Sequence, residues 1–201
     1  MAQHQHTSDR LDQYRERRDF SRSTEPDGDS DDASDDPVFV IQKHDASTLH
    51  YDFRLALDGV LKSWAVPKGP STDPRDKRLA VATEDHPLDY ADFEGVIPEG
   101  EYGAGTVLIW DRGTYENITE KDNGIRPLSE ALENGHALIW LSGEKIQGGY
   151  ALERMDDDAD QWLLIKMDDD AADARRNPVS TEPTSVVSGC DLDEIAAGED
   201  E

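Results

Sequence analysis

Two imidazoles, a carboxylate and a guanidinium fall within one eleven-residue run, His44-Asp45-Ala46-Ser47-Thr48-Leu49-His50-Tyr51-Asp52-Phe53-Arg54. From Leu49 on, the run alternates apolar and polar residues, and in a strand side chains two apart share a face. His50, Asp52 and Arg54 then point one way, and Leu49, Tyr51, Phe53 and Leu55 the other. His44, His50 and Asp52 make a three-ligand set with positions left over for substrate and water on a divalent metal. Imidazole and carboxylate suit Zn, Mn and several other ions, so the donor types alone do not choose among them. Arg54, one pleat beyond Asp52, can fork onto a phosphate held by such a metal. It can equally pair with Asp52 for stability alone.

Further chemistry-bearing residues follow. Lys68 stands between turn-formers in Val66-Pro67-Lys68-Gly69-Pro70, and Arg75, Lys77 and Arg78 come soon after, in a chain with only 20 basic residues. A local group of cations inside an acidic chain points to anion binding, against the plainer account of surface charge. In Glu84-Asp85-His86-Pro87-Leu88-Asp89-Tyr90, His86 can act as a general acid or bind phosphate as imidazolium, and Tyr90 can donate a phenolic hydrogen bond. The glycine-rich Pro98 to Thr106 lacks the Gly-Lys-Ser/Thr of a phosphate-cradling loop. It precedes a strand, so a bulged turn is expected there. Trp64, Trp110, Trp140 and Trp162 lie in apolar strand contexts and read as core, His136 reads as structural, and His4 and His6 carry no role.

The elements that must position these residues are mostly strands. Val38–Lys43, Leu49–Leu57 and Val60–Val66 read as strands, with Asp58-Gly59 a two-residue hairpin turn between the last two. Counting outward from that turn sets Arg54 opposite Ser63, Asp52 opposite Ala65, Phe53 opposite Trp64 and Tyr51 opposite Val66. More strands are predicted at Arg78–Thr83, Thr106–Trp110, His136–Leu141, Tyr150–Met155 and Gln161–Lys166. A helix is predicted over residues 8–20, capped by Ser8 or Asp9, and another over Leu128–Glu133, ended by Asn134-Gly135. Asp156 to Asp160 reads as a hairpin loop. Many short strands joined by Gly, Pro and Asp turns make a mainly β protein, a small closed or nearly closed β-barrel with short peripheral helices. The expected organisation is a helix-containing arm over 1–22, an acidic mobile linker over 23–37, the barrel over 38–168, and an acidic, poorly packed tail over 169–201.

At 201 residues the chain can bury one well-formed core, yet its hydrophobic share is only 35%. The formal net charge is -26, a field that repels nucleic acid and lipid surfaces unless it is unevenly spread. It is uneven. Ser23–Pro37 holds seven acids and no Lys or Arg, and the chain from Ala151 onward holds sixteen acids against four bases. Val38–Tyr115 holds thirteen acids against eight bases. With seven Lys against thirteen Arg, such a coat suits a salty cell interior, where the Debye length at 1 M is about 3 Å. Cys190 is the one cysteine, which excludes a disulfide framework within a monomer. No basic segment followed by an apolar run opens the chain and no apolar run approaches membrane-spanning length. A halophilic, soluble, cytoplasmic protein is expected.

The run Phe39 to Ser47 with Leu49 to Leu55, together with Ser63 to Gly69, Glu84 to Tyr90, Phe93-Glu94-Gly95 and Ile97 to Gly105, closely resembles the 3′-phosphoesterase domain of DNA ligase D and its stand-alone relatives. The resemblance covers roughly residues 10–168, broken by the acidic linker. It implies a small barrel with a central active-site cavity and Mn2+ or a similar divalent ion such as Zn2+ or Co2+. It implies trimming of DNA primer–template 3′ ends for repair by non-homologous end joining. A phosphodiesterase step removes a terminal ribonucleoside, and a phosphomonoesterase step turns the 3′-phosphate into 3′-OH. A separate DNA ligase would act as partner. The family's metal ligands fall on His44, His50 and Asp52. Its catalytic and phosphate-contacting positions fall on Arg54, His86 and Tyr90, with Lys68 and Arg78 as further cations. An N-terminal Arg and Glu of the family map to Arg18 and Glu25.

Two other classes share some of these residues. A His-x-Asp pair with a distant His also marks non-haem iron oxygenases, in which His50 and Asp52 would be joined by His136 or His86. A non-catalytic module that binds nucleic-acid ends, with a purely structural metal, is the other.

Overall fold

Asp58 and Gly59 both adopt positive φ, 52° and 81°, the backbone of a type I′ turn. That turn fixes the register on which the polar residues depend. The computed structural model describes residues 10–28, 36–122, 124–155 and 160–198. Its strands are β1 (Val38–Asp45), β2 (Leu49–Leu57), β3 (Val60–Val66), β4 (Lys77–Ala82), β5 (Gly95–Ile97), β6 (Gly105–Asn117), β7 (Glu120–Lys121), β8 (Gly124–Ile125), β9 (His136–Gly143), β10 (Gln147–Arg154) and β11 (Gln161–Lys166). The β2–β3 hairpin pairs Tyr51 with Val66, Asp52 with Ala65, Phe53 with Trp64 and Arg54 with Ser63, the register counted from the sequence.

Neighbouring strands run β1-β2-β3-β4-β11-β10-β9-β6, and β1 pairs back onto β6, closing an eight-stranded antiparallel barrel. β5 adds to the start of β6, and β7 and β8 form a separate small hairpin. β6 runs on past Trp110, where its sequence signal ends, because it serves two neighbours in turn, β1 and then β9. A bulge between Ile41 and Gln42 in the β1–β6 register places Trp110 as the extra residue. A bulge shifts the inward alternation by one. Trp110 and Tyr115, five apart, thereby join the same core.

That core draws on all eight barrel strands. Phe39, Phe53, Trp64, Ala80, Trp110, Ile139, Tyr150 and Trp162 belong to one buried cluster, joined by Leu128 and Ala131 of helix α2 (Leu128–Glu133). The barrel interior is therefore filled with aromatic and aliphatic side chains. The polar set does not occupy a central cavity, as the resemblance implied. The pleat that turns Tyr51, Phe53 and Leu55 inward turns Asp52 and Arg54 outward, so the site lies on the outer face of β1, β2 and β3.

A second apolar cluster covers that outer face: Tyr14, Ala56, Leu61, Tyr90, Phe93, Ile97 and Val107, with Phe20, Val38, Leu88 and Ala91 packed against it. It seats the N-terminal arm and a 3-10 turn at Leu88–Asp92. Helix α1 spans Asp12–Glu16, shorter than residues 8–20, and Ser8 and Asp9 lie outside the described residues. A single turn is unstable alone, and here burial of Leu11 and Tyr14 holds it. The described part of the acidic linker, Ser23 to Gly28, packs with the arm, and Glu25 is 5% exposed. Of the expected hairpin loop, residues 156–159 also lie outside the described residues.

The C-terminal segment, with helices α3 (Pro178–Thr181) and α4 (Leu192–Gly198), wraps the barrel instead of packing poorly. Barrel donors bind its backbone: Trp110 Nε1 donates to Glu182 O at 2.7 Å, Lys145 Nζ to the same oxygen at 3.1 Å, and Thr72 Oγ1 to Asp173 O at 2.8 Å. Asp169 also turns inward, accepting from Gly149 N at 2.7 Å and from the buried Lys166 Nζ at 2.6 Å. Trp140 also departs from expectation. It sits on the outer side of β9 opposite Gly149, 39% exposed, while the other three tryptophans are core.

Candidate metal and phosphate site

β1 and β2 pair His44 directly with His50, so the two rings stand side by side with centroids 4.8 Å apart. Asp52, two residues further along β2, brings Oδ2 to 3.4 Å from His44 Nδ1 and Oδ1 to 3.6 Å from His50 Nε2. One ligand atom from each residue lies within 4.8 Å of the other two. Each imidazole gives its other nitrogen to a backbone carbonyl: His44 Nε2 donates to Gly103 O at 2.7 Å and His50 Nδ1 to Thr48 O at 2.8 Å. A carbonyl only accepts, so these bonds fix both tautomers. A lone pair of each ring then faces a carboxylate oxygen, which is repulsive unless a cation or a proton lies between them. The donor set therefore fits a divalent cation, with His44 Nδ1, His50 Nε2 and the Asp52 carboxylate as ligands. Burial lowers the His50 pKa, but the hydrogen bond and charge of Asp52 outweigh it and the net shift is upward. Burial likewise opposes ionisation of Asp52, yet Arg54 and the two imidazoles hold it well below the usual carboxylate range.

Arg54 is 3% exposed and aimed by three partners. Its Nε donates to Gln42 Oε1 at 2.7 Å, one terminal nitrogen donates to Ser63 Oγ at 2.9 Å, and the other lies 3.3 Å from Asp52 Oδ2. One N–H on each terminal nitrogen is left over, the geometry for a forked phosphate contact. Gln42 is itself fixed, since its amide donates to Tyr90 O and Phe93 O, both at 2.9 Å. Tyr90 lies under the guanidinium at 4.9 Å from its ring centroid.

His86 stands beside this pair, its ring centroid 4.8 Å from that of Tyr90. Its Nδ1 donates to Glu84 O at 2.9 Å, and its Nε2 accepts from Arg18 at 3.4 Å. Burial, Arg54 and Arg18 together push its pKa well below the ordinary imidazole value. His86 is therefore neutral here, and the imidazolium expected from the sequence is not its resting form. Arg18 comes from the arm and Glu25 from the start of the linker that follows it. Arg18 Nε donates to Glu25 Oε1 at 2.9 Å, and the same oxygen accepts from the Tyr90 hydroxyl at 3.1 Å. Arg18 also bonds Glu84 Oε1 at 3.1 Å. Burial, then Glu25, raises the Tyr90 pKa well above its ordinary value, so the phenol keeps its proton.

Most of the expected site residues thus converge: His44, His50, Asp52, Arg54, His86, Tyr90, Arg18 and Glu25. Lys68 and Arg78 do not touch them. Arg78 is bound to Asp76 at 2.9 Å. Lys68 is exposed in the turn that follows the Tyr51–Val66 pair, which sets it beside the His50 end of β2. Neither histidine of the oxygenase alternative joins the ligand cluster, since His136 on β9 is exposed beside Glu153 of β10 and His86 lies outside the trio. Gln42, Ser63, Glu84 and Tyr14 were not foreseen as site residues. Gln42 carried one readable sign, a polar residue sharing the pleat face of His44 directly after four apolar ones.

The family profile described as the DNA Ligase D 3′-phosphoesterase domain matches residues 42–154. The chain is 48% identical over 184 residues to the multifunctional non-homologous end joining protein LigD of Pseudomonas aeruginosa, covering 89% of this chain and 21% of that protein. It is 48% identical over 161 residues to the multifunctional non-homologous end joining DNA repair protein LigD of Mycobacterium tuberculosis, covering 80% and 20%. With the LigD protein of Mycolicibacterium smegmatis the identity is 45% over 168 residues, covering 81% and 21%. The chain thus spans about a fifth of the length of these curated relatives.

Proposed function

The chain belongs to the DNA ligase D 3′-phosphoesterase domain family, and from that premise we propose that it is a divalent-metal-dependent hydrolase of DNA 3′ ends. It removes a 3′-terminal ribonucleoside as a phosphodiesterase and then a 3′-phosphate as a phosphomonoesterase, leaving 3′-OH ends for joining by a ligase. The observation that carries this reading is the adjacency of two half-sites. The metal trio and Arg54 share the Asp52 carboxylate, and the two N–H groups of Arg54 that are left over lie beside it.

The balance of charge supports it. Three guanidiniums, Arg17, Arg18 and Arg54, face three carboxylates, Glu84, Glu25 and Asp52. Without a metal that set is formally neutral, whereas a divalent ion makes it cationic and suited to phosphate. Bound to His44, His50 and Asp52, such an ion supplies Lewis-acid neutralisation of phosphate charge and a lowered pKa for bound water. Mn2+ is the proposed metal, with Zn2+ and Co2+ as substitutes for the same donors.

The protein groups divide the remaining work. Arg54 forks onto the phosphate, and Tyr90, whose one O–H is held by Glu25, lies under the Arg54 guanidinium and keeps it in place. Arg18 sets the tautomer of His86, whose Nε2 faces the guanidiniums. Burial is the larger cause of the His86 depression, and the negative charge of a bound phosphate offsets the share due to Arg54 and Arg18, so the ring can take a proton from water and pass it to the leaving oxygen. Lys68 and Arg78 act at the rim as secondary phosphate contacts. The functional unit on this reading is the arm over 1–22 with Glu25 of the linker 23–37, acting on the barrel 38–168, while 169–201 braces it.

No helix among the described residues is long and apolar enough to cross a membrane. We place the activity in a cytoplasm of high salt, where the charge of -26 is screened. Non-specific phosphate contacts weaken steeply with salt, so recognition falls to the chain end itself. The test is a 5′-labelled primer–template ending in one ribonucleotide, incubated with Mn2+. Sequential products ending in 3′-phosphate and then 3′-OH support the proposal, and an unchanged primer defeats it.

A further inference from the structure

The glycine-rich segment Pro98 to Thr106 is not used up by its role as a turn. Its Gly103 carbonyl holds His44, at 2.7 Å, and the residue before that glycine is Tyr102, 46% exposed. Single exposed aromatics are ordinary on protein surfaces. Tyr102 differs in being clamped. Arg17 donates to its hydroxyl at 2.8 Å, and the guanidinium carbons of Arg17 and Arg18 lie 5.0 and 5.3 Å from its ring centroid. Glu101 is tied to Arg22 at 2.8 Å. Two successive tight turns, Glu101 N to Pro98 O and Ala104 N to Glu101 O, both 3.1 Å, stiffen the backbone on either side.

The ring therefore borders both halves of the site. One peptide joins it to the carbonyl that orients a metal ligand, and Arg18, which flanks it, also touches His86. A rigid, half-exposed aromatic beside a phosphate pocket, backed by guanidiniums, is what base stacking on single-stranded nucleic acid uses. We propose that Tyr102 is the stacking platform for the nucleobase of the nucleotide whose 3′ oxygen carries the phosphate. Resting on the phosphoesterase reading above, this makes Tyr102 a specificity-determining residue that favours a base-bearing end over a bare sugar phosphate. Arg17, 45% exposed at the same edge, steadies the ring.

The experiment measures phosphate release from two duplexes with a recessed 3′-phosphate, one with a normal terminal nucleotide and one with an abasic tetrahydrofuran residue there. Wild type, Tyr102→Ala and Tyr102→Phe are compared with Mn2+. On the normal end, Tyr102→Ala raises KM about five- to hundredfold, the range expected for loss of one base stack, with kcat within about threefold. Tyr102→Phe, which keeps the ring, restores KM. On the abasic end the wild-type KM is already raised, and Tyr102→Ala raises it no further. Equal KM for wild type and Tyr102→Ala on the normal end overturns the proposal, as does an equal loss on both ends, which is the signature of a disturbed Gly103–His44 contact.

A second readout needs no turnover. With 2-aminopurine as the terminal base, wild type and Tyr102→Phe quench its fluorescence on binding and Tyr102→Ala does not. Quenching by all three, or by none, overturns the platform. Failure of wild type to release phosphate defeats the phosphoesterase reading alone, and the quenching still decides the role of Tyr102.

Discussion

The two faces of β2 are equally buried and differently held. On the inner face Tyr51, Phe53 and Leu55 are 2%, 1% and 0% exposed and belong to the core cluster to which every barrel strand contributes. On the outer face Asp52 and Arg54 are 6% and 3% exposed, and each terminal atom has a named partner. The inner face depends on volume, and dispersion contacts there are non-directional. The outer face depends on atoms, because a buried charge that loses a partner is left uncompensated. One strand thus separates stability from chemistry at intervals of a single residue.

The sharpest way to break that division is Asp52→Asn, which keeps the shape and removes the charge. Activity should fall by roughly a thousandfold or more, and metal analysis of the purified variant should show the ion lost, while the melting transition stays cooperative. Retained turnover with retained metal would remove Asp52 from the site. Its inner neighbour should behave in reverse. Phe53→Ala should lower unfolding free energy by about 3–5 kcal/mol in a urea titration, yet leave kcat per folded molecule near wild type at low temperature. A large kcat loss without destabilisation would merge the two faces. Gln42→Leu tests whether aim alone matters, since it touches no ligand. Activity should drop about 10–100-fold with metal content unchanged, and a drop through metal loss would make Gln42 part of the metal site instead.

The smallest effect is on pH. His86 has a folded-state pKa depressed below about 6.5, so below that pH the unfolded chain takes up a proton that the folded one refuses. Its share of stability is intact above about pH 6.5 and is lost as pH falls, by at most about 1.4 kcal/mol per unit. His86→Gln should flatten that part of the acid limb in pH-dependent denaturation. An identical limb in both proteins would mean that His86 titrates normally.

Much of this was legible in the sequence because it is local. Asp58-Gly59 dictates a type I′ turn, the turn dictates register, and register opposes Arg54 to Ser63. The helix at Leu128–Glu133 and the strands at Leu49–Leu57, Val60–Val66 and Gln161–Lys166 have the bounds their patterns predict. That the aromatic face of β2 packs as core was legible in its cross-strand pairs, Phe53 with Trp64 and Tyr51 with Val66. That the polar face would be covered as well, by a second apolar cluster, was not. Gln42 escaped notice because its importance comes from carbonyls 48 and 51 residues away. The tail misled through its acids, which say nothing about where its carbonyls bind. Arg18 and Glu25 rested on resemblance alone, because no local pattern announces a partner from a separate arm.

That arm has a consequence for how the protein is handled and controlled. Removing residues 1–28 would leave every strand-to-strand hydrogen bond among the described residues in place and take away Arg18, Glu25 and the Tyr14 that packs with Leu61, Tyr90 and Val107. The clipped remnant would still gather the cation's three ligands, but Tyr90 would lose its acceptor and His86 its guanidinium. It would be a folded body with a greasy, half-built mouth, so activity measured on a trimmed version reports the missing arm as much as the residues that remain.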